Sequence, residues 1–250
     1  MKNQITSLIA LTLLLLSTSV GAQYDEDILQ ALRVDVIYLA SDDLEGREAG
    51  QKGERLAAQY IATRFAEIGL QAKGTNGQWV QPFPFKELVN PHTNPDKVPQ
   101  ASEAMNVIAF LDHGSEHTII IGGHYDHLGY GGSGSRAGGE KAIHNGADDN
   151  ASGVAALLQL AEQLKNNPKA KQNNYLFITF SAEEKGLFGS KYFVENPTID
   201  LTKVSYMLNM DMVGRLNAEK VLVINGVGTS PKWKPALESI EFGGIQAKTS

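Results

Sequence analysis

Apolar residues recur at helical spacing in two stretches near the start of the chain. Within residues 27–40 they are Ile28, Leu32, Val36 and Leu39. A second stretch, residues 52–68, has the same spacing and ends at Gly69. Because side chains three and four residues apart share one face of an α-helix, both stretches predict amphipathic helices. The proline-rich residues 73–105 instead predict a strand edge and a long surface loop.

The rest of the chain alternates short apolar runs with further helical stripes. The runs predict buried β-strands over residues 106–111, 118–121, 175–180, 204–210 and 221–224. The helical stripes cover residues 154–164, 186–194 and 232–240. Strands that alternate with helices predict an α/β sandwich with a mixed, mostly parallel central sheet.

The N-terminal residues have the pattern of a secretory signal. Lys2 precedes an almost wholly apolar run over residues 8–16, and small residues follow at 20–22. A membrane anchor is the alternative, but the run has about half of the ~20 residues that span a bilayer. We therefore expect a signal peptide over 1–22 and one domain over 23–250. The mature protein would be periplasmic or secreted, without stable membrane association.

Composition narrows the possible chemistry. The chain is 42% hydrophobic and 20% charged, which is typical of a globular domain. It has no cysteine, so disulfides and thiolate ligands are excluded and a metal would need His, Asp or Glu. The net charge is −6 without a basic cluster, which argues against nucleic acid as a partner. The motifs of α/β-hydrolases, P-loop proteins and His-Glu-x-x-His metalloproteases are missing from the sequence.

Imidazole and carboxylate groups are concentrated where the predicted strands stop. The clusters are His124 to Asp126, Asp148 and Asp149, Glu183 and Glu184, and Asp211. Open α/β sheets bind ligands at the carboxyl ends of their strands. The coincidence of these clusters therefore predicts a ligand site at that edge.

Each cluster alone also has an ordinary structural explanation. His124 beside Asp126 fits a solvated pair, Asp148 and Asp149 fit a helix N-cap, and adjacent glutamates fit the first turn of a helix. As a metal site, His124 would be a ligand oriented by Asp126, and one aspartate could bridge two cations. Two like charges after a buried strand are costly unless a cation offsets them.

The clusters resemble the successive motifs of a known family. Their sequences are Gly-Gly-His-Tyr-Asp at 122–126, Gly-Ala-Asp-Asp-Asn-Ala-Ser-Gly at 146–153, Ser-Ala-Glu-Glu-Lys-Gly at 181–186 and Asn-Met-Asp at 209–211. They are similar, in the same order, to the motifs of the co-catalytic di-zinc aminopeptidases related to bacterial leucyl aminopeptidase and aminopeptidase Y. Residues 39–47 are similar to the family's lead-in segment.

The resemblance implies a three-layer zinc-exopeptidase fold that binds two zinc ions and removes N-terminal residues from peptides. It assigns His124 and Asp211 to one zinc, Glu184 to the other, and Asp149 to both. Asp149 is preferred to Asp148 because it stands three residues before Ser152, as the family's bridging carboxylate does.

The resemblance also implies the catalytic roles. Glu183 would be the general base that activates a metal-bridged hydroxide, and Asp126 would support His124. Single-zinc glutaminyl cyclases and non-catalytic binding domains share the fold and remain alternatives, although the presence of Glu183 argues against the latter.

One feature of the sequence departs from the family pattern. The family takes a final histidine ligand from near the C-terminal end of its domain, whereas no histidine follows His144 here. We expect the domain to be incomplete at its C-terminus. A site with one metal, or His127 or His144 in place of the missing ligand, are the other possibilities.

Overall fold

A computed structural model describes residues 25–86, 101–131, 135–137 and 141–250. The predicted signal peptide, residues 1–22, lies outside them. Within these ranges no helix has the length and apolarity that a membrane crossing requires.

The central sheet is mixed, as predicted. Its strands are β1 (Gln71–Ala72), β2 (Val80–Lys86), β3 (Ala101–Leu111), β4 (Thr118–His124), β5 (Asn174–Phe180) and β6 (Val204–Asn209). They run in the order β1-β3-β5-β4-β6, and β2 also pairs with β3. β4 is parallel to β5 and β6, whereas β3 is antiparallel to its neighbours β1, β2 and β5.

The expectation of a loop through residues 73–105 was partly wrong, because β2 and β3 form an antiparallel pair that extends to Ala101. Phe83 and Phe85 point into a small apolar cluster with Ala104. The prolines of β2 alternate with these phenylalanines and lie on its exposed face. An edge strand tolerates proline because its outer N–H groups need no partner in the sheet. Residues 87–100 lie outside the described residues.

Helices cover both faces of the sheet and make the three layers. They are α1 (residues 25–39), α2 (Lys52–Ile68), α3 (Gly153–Asn166), α4 (Phe188–Glu195) and α5 (Trp233–Glu238). The predicted bounds of α2 are confirmed. It ends where Gly69 adopts a left-handed conformation, with φ of 81°, and donates its N–H to the last turn.

The central strands are apolar on both faces because each face meets a different helix layer. Ile119 and Ile121 of β4 share a core with Phe65 of α2 and Leu157 of α3. Ile120 belongs to a second core on the other face, which includes Phe193 of α4. This packing fixes the strand ends relative to one another, and those ends carry the candidate site.

The burial predicted for β6 was wrong. Tyr206, Met207 and Leu208 are 38%, 42% and 46% exposed. Among the described strands β6 pairs with β4 alone, and the next strands, β7 (Val221–Ile224) and β8 (Gln246–Thr249), form a separate two-stranded sheet. Asp211, which follows β6, consequently stands at an open edge.

Candidate metal centre

The parallel strands bring the predicted site residues to one edge of the sheet. His124, the last residue of β4, pairs with Phe180, the last residue of β5. Gly122 of β4 pairs with Asn209 at the end of β6. The segments that follow β5 and β6, with Glu183, Glu184 and Asp211, therefore begin beside His124.

His124, Asp149 and Asp211 form the first group of metal-ligand atoms. His124 Nε2 lies 3.2 Å from Asp149 Oδ1 and 3.5 Å from Asp211 Oδ1. One donor atom from each residue lies within 4.8 Å of the others. His124 is buried, whereas the Asp211 side chain is half exposed. Asp211 is therefore not a buried charge, and it lies beside His124, as the position of the clusters at the strand ends predicts.

The electrostatics of this group favour a positive charge. Burial lowers the pKa of His124, but its contacts with Asp126, Asp149 and Asp211 outweigh burial and raise that pKa to about 12. The same contact with His124 lowers the pKa of Asp149, against the effect of burial. A cation at His124 Nε2 would meet the same attraction that a proton does. The residues present therefore suit a divalent metal ion.

A second group of ligand atoms shares Asp149. It contains His127, Asp149 and Glu184, and its donor atoms also lie within 4.8 Å of one another. His127 Nδ1 is 2.8 Å from Glu184 Oε1. Asp149 thus stands between two donor groups, which is the arrangement expected of a bridging carboxylate.

Hydrogen bonds in the loop before α3 account for the presence of Asp149, and not Asp148, in the two groups of ligand atoms. Asp148 Oδ1 accepts a hydrogen bond from the Gly214 N–H at 3.0 Å, and Asp148 belongs to neither group of ligand atoms. Asn150 donates from Nδ2 to the Met210 carbonyl at 3.0 Å and accepts from the Met212 N–H at 3.2 Å. These bonds join the loop to the segment that carries Asp211.

Asp126 links His124 to the glutamates. Its Oδ1 is 3.7 Å from His124 Nδ1, and its backbone carbonyl is closer, at 3.2 Å. The fully buried carboxylate accepts hydrogen bonds from the N–H groups of Glu183, at 3.1 Å, and Glu184, at 3.3 Å. Asp126 therefore holds the loop after β5 as well as facing the imidazole.

Glu183 stands beside the first group on a concave surface. Burial raises its pKa, and the negative charges of Asp126, Glu184 and Asp211 add to this effect while His124 opposes it. A cavity of about 200 Å³ is lined by His124, Phe180, Ser181, Glu183, Leu187, Ser190, Met207, Asn209 and Asp211. A larger cavity, of about 380 Å³, lies near the opposite end of β4 at Thr118 and contains none of the predicted site residues.

Arg47, which the sequence did not single out, joins the loops of the site. Its Nε donates to the Tyr125 carbonyl at 2.7 Å, and its Nη1 and Nη2 donate to the carbonyls of Asn145, at 2.7 Å, and Gly146, at 3.0 Å. Nη1 also donates to the Leu39 carbonyl. Burial lowers the Arg47 pKa to about 10, against the attraction of nearby carboxylates. Its position in the lead-in segment was the available sequence signal.

Glu54 is a second buried group that the sequence did not reveal. Its carboxylate accepts hydrogen bonds from Ser181 Oγ, at 2.5 Å, and from the N–H groups of Gly50, at 2.7 Å, and Met105, at 3.1 Å. Burial raises the pKa of Glu54 in spite of these bonds. The hydroxyl of Tyr125, which stands between His124 and Asp126 in the chain, donates to the Met105 carbonyl at 2.6 Å and lies 3.3 Å from the same carboxylate. Glu54 therefore connects α2 to β3 and to the segments that follow β4 and β5.

Parts of this chain are similar to curated aminopeptidases. A probable lipoprotein aminopeptidase, LpqL, of Mycobacterium tuberculosis is 38% identical over 120 residues, which are 47% of this chain and 21% of that protein. A probable leucine aminopeptidase of Trichophyton verrucosum is 32% identical over 165 residues, 63% of this chain and 37% of that protein. The chain thus spans well under two thirds of these relatives.

Solved structures share the fold at lower identity. A leucine aminopeptidase precursor from Bacteroides thetaiotaomicron has a TM-score of 0.65 at 19% identity, and the match covers 88% of this chain and 77% of that chain. A glutaminyl cyclase from the same organism has a TM-score of 0.65 at 19% identity, covering 88% and 76%. A Zn-dependent exopeptidase from Parabacteroides distasonis has a TM-score of 0.66 at 17% identity, also covering 88% and 76%. These likenesses confirm the predicted fold.

The sequence match to a family covers the site-bearing part of the chain. Residues 106–241, more than half of the 250 residues, match Peptidase family M28. The matched range includes β4, β5 and β6 and both groups of ligand atoms. The resemblance inferred from the four motifs is confirmed, and this chain belongs to Peptidase family M28.

Proposed function

We propose that the protein is a zinc-dependent exopeptidase that removes N-terminal residues from peptides. The observation that carries the proposal is the position of Asp149, which belongs to two groups of ligand atoms at one sheet edge. The aminopeptidase names of the curated relatives agree with it. Glutaminyl cyclases share the fold, so the fold alone does not select the activity.

Two zinc ions are proposed, one for each group of ligand atoms. His124, Asp149 and Asp211 would hold one ion, and Asp149 and Glu184 would hold the other. Imidazole and carboxylate donors suit zinc, and the carboxylates clustered here offset its charge. Zinc supplies Lewis-acid activation of water and of the scissile carbonyl when it is bound.

Glu183 is the proposed general base. Its raised pKa, due mainly to burial, makes it a better proton acceptor than an ordinary surface carboxylate. It would take a proton from the attacking water and then pass that proton to the leaving amine. Asp126 keeps Glu183 in place through the hydrogen bond to its backbone N–H.

Acidic side chains also suit a substrate with a free N-terminus. Glu183 and Asp211 line the cavity of about 200 Å³. A terminal ammonium group would be attracted to Glu183, which is not a proposed zinc ligand, whereas an acetylated terminus would not. Peptides with free N-termini are therefore the proposed substrates.

Export of the protein is part of the proposal. Residues 1–22 have the pattern of a cleaved signal, and one relative is a probable lipoprotein aminopeptidase. N-terminal sequencing of the protein from periplasmic and culture fractions would test this. A mature N-terminus at residue 23 is expected, and recovery only in the cytoplasm with Met1 retained would contradict export.

The activity is tested with zinc-loaded protein and leucyl-nitroanilide, with acetyl-leucyl-nitroanilide as the blocked comparison. Only the free-amine substrate should be cleaved. Glu183→Gln should lower kcat by about 10²–10⁴-fold because the general base is lost, while zinc content stays unchanged. Glu195→Gln, at an exposed position in α4, is the matched control and should have wild-type activity.

Three outcomes would count against the proposal. They are full activity of Glu183→Gln, equal cleavage of the blocked substrate, and release of ammonia from N-terminal glutamine without peptide hydrolysis. The last would identify a glutaminyl cyclase.

A further inference from the structure

Glu54 is a buried carboxylate of α2 that the proposed reaction does not use. We infer that it is a positioning residue for the proposed general base. By holding the Ser181 hydroxyl, the Glu54 carboxylate fixes the start of the segment that carries Glu183 away from β5. This inference deepens the proposed function and rests on it, because Glu183 has its role only in that reaction.

The Glu54 carboxylate is bonded to donors from three separate parts of the chain. Its Oε1 accepts from Ser181 Oγ, at 2.5 Å, and from the Met105 N–H of β3, at 3.1 Å. Its Oε2 accepts from the Gly50 N–H at 2.7 Å. Glu54 and Ser181 are both 0% exposed, so bulk water does not compete for their bond. Because a buried donor without an acceptor is costly, the Ser181 hydroxyl stays at Glu54.

The backbone of Ser181 is fixed as well. Its N–H donates to Asn106 Oδ1 at 3.2 Å, and its carbonyl accepts from the Gly189 N–H at 3.0 Å. Asn106 is itself fully buried and donates to Gln81 Oε1 at 3.0 Å and to the Gly189 carbonyl at 2.9 Å. Ser181 is therefore held between the sheet and α4, and Glu54 is the partner of its side chain.

The chain bends between Ser181 and Glu183. Ala182 has a φ of 53°, a left-handed conformation that residues with a side chain seldom adopt, and it is fully buried. Such a conformation persists only where the surrounding structure enforces it. After the bend, the Ala182 carbonyl accepts from the Phe188 N–H at 3.0 Å. Before the bend, the side-chain restraint is the bond between Glu54 and Ser181, so its loss lets Ala182 relax and changes the direction of Glu183.

The competing explanation is that Glu54 only stabilises the folded protein. Loss of a purely stabilising contact lowers the melting temperature, but the molecules that remain folded keep their kcat. Loss of a positioning residue lowers kcat in folded, zinc-loaded protein, because a catalytic group displaced by about 1 Å can cost about 10²-fold. Two residues that act as a unit also have effects that do not add.

The variants change either end of the bond between Glu54 and Ser181. Ser181→Ala removes only a hydroxyl, so it tests the inference even if a change at Glu54 prevents folding. Glu54→Met removes both acceptor oxygens, whereas Glu54→Gln keeps one that can accept from Ser181. A double variant combines Ser181→Ala with Glu54→Met. Glu67→Gln, at an exposed position of the same helix, is the matched control.

Kinetics and hydrogen exchange are measured on the full-length proteins. Each protein is loaded with zinc, its zinc content is determined, and kcat and KM for leucyl-nitroanilide are obtained well below its melting temperature. Hydrogen exchange of the metal-free proteins, followed by mass spectrometry, reports local opening of the backbone without any contribution from catalysis.

Ser181→Ala and Glu54→Met should each lower kcat about 10–10²-fold, with KM and zinc per chain as in wild type. Glu54→Gln should lose less than Glu54→Met, and the double variant should be as slow as the slower single variant. Glu67→Gln should match wild type. In metal-free Ser181→Ala, exchange should become faster over residues 182–189 and stay at the wild-type rate in β4 and α3.

The inference is overturned if Ser181→Ala keeps wild-type kcat, if the two losses multiply in the double variant, or if KM rises while kcat is unchanged. Faster exchange by the same factor throughout the protein would also overturn it, since that marks a general loss of stability. Failure of the proposed function looks different. In that case zinc-loaded wild type would not cleave leucyl-nitroanilide, and the faster exchange of Ser181→Ala would still be confined to residues 182–189.

Discussion

Replacement of Arg47 by methionine tests whether one buried guanidinium holds the site together. Methionine fills much of the space of the arginine stem but cannot donate a hydrogen bond. The substitution removes the donors to the backbone carbonyls of Tyr125, Asn145 and Gly146, and to that of Leu39. It also removes the positive charge that faces Asp126, Asp149 and Glu184.

The expected loss of stability follows from the buried carbonyl groups that lose their hydrogen-bond donor. Arg47 is 1% exposed, and Leu39 is fully buried. Tyr125 is fully buried too, and each buried carbonyl that loses its donor costs about 1–3 kcal/mol. Asn145 and Gly146 are only partly buried, so water can replace Arg47 there. The two buried carbonyls together give an expected decrease of about 2–6 kcal/mol in the free energy of unfolding.

Urea denaturation in EDTA measures this change without a contribution from zinc. Arg47→Lys should lose less, since an ammonium can keep part of the hydrogen bonding but not the planar fork. Arg55→Met is the matched control, because the hydrogen bond of Arg55 to the Gly50 carbonyl is exposed. It should change stability by no more than about 0.5 kcal/mol. An Arg47→Met protein within about 1 kcal/mol of wild type would refute the reasoning.

Further predictions concern packing, pH and metal. Gly53→Ala places a Cβ atom 1.8 Å from the Leu44 carbonyl oxygen, so urea denaturation should show a loss of about 1–3 kcal/mol or more; unchanged stability would contradict the packing of α2. Phe177→Ala empties a fully buried position in the sheet and should cost about 3–5 kcal/mol in the same assay, and a loss below 1 kcal/mol would argue against this core. Burial raises the pKa of Glu54, so the folded state disfavours its ionised form. The free energy of unfolding of the wild-type protein, relative to that of Glu54→Gln, should rise as pH falls from 7 through the raised pKa and should level off below the ordinary pKa of 4.5. A difference between the two proteins that does not change with pH would refute this. Zinc at 100 times its Kd should stabilise the folded protein by about 2.7 kcal/mol over the EDTA-treated form, and equal melting temperatures would show that no zinc binds.

Local patterns were sufficient to predict most of the elements. The bounds of α2 and β7 agree with the apolar periodicity, because each side chain's face depends on its position within its own element. The β2–β3 pair and the exposure of β6 could not be read in this way. They depend on which strands become neighbours, and pattern alone does not report that.

For the candidate site, too, the sequence predicted some features and only the structure revealed others. The proximity of His124, Asp149, Glu184 and Asp211 was predictable because each lies in a short motif at a strand or helix boundary, and parallel strands bring such boundaries together. His127 was only one of two possible substitutes for a missing ligand. The structure places His127 Nδ1 2.8 Å from Glu184 Oε1, whereas His144 Nε2 lies 2.7 Å from Ser135 Oγ.

The sequence by itself determined the family, the helix and strand pattern, and the motif residues that converge on the edge of the sheet. Only the tertiary structure decided how these residues are held. Arg47 meets the Gly146 carbonyl across 99 positions, and Glu54 meets Ser181 across 127. Such contacts leave no periodic signal, because their partners are selected by the packing of whole elements and not by neighbours in the chain.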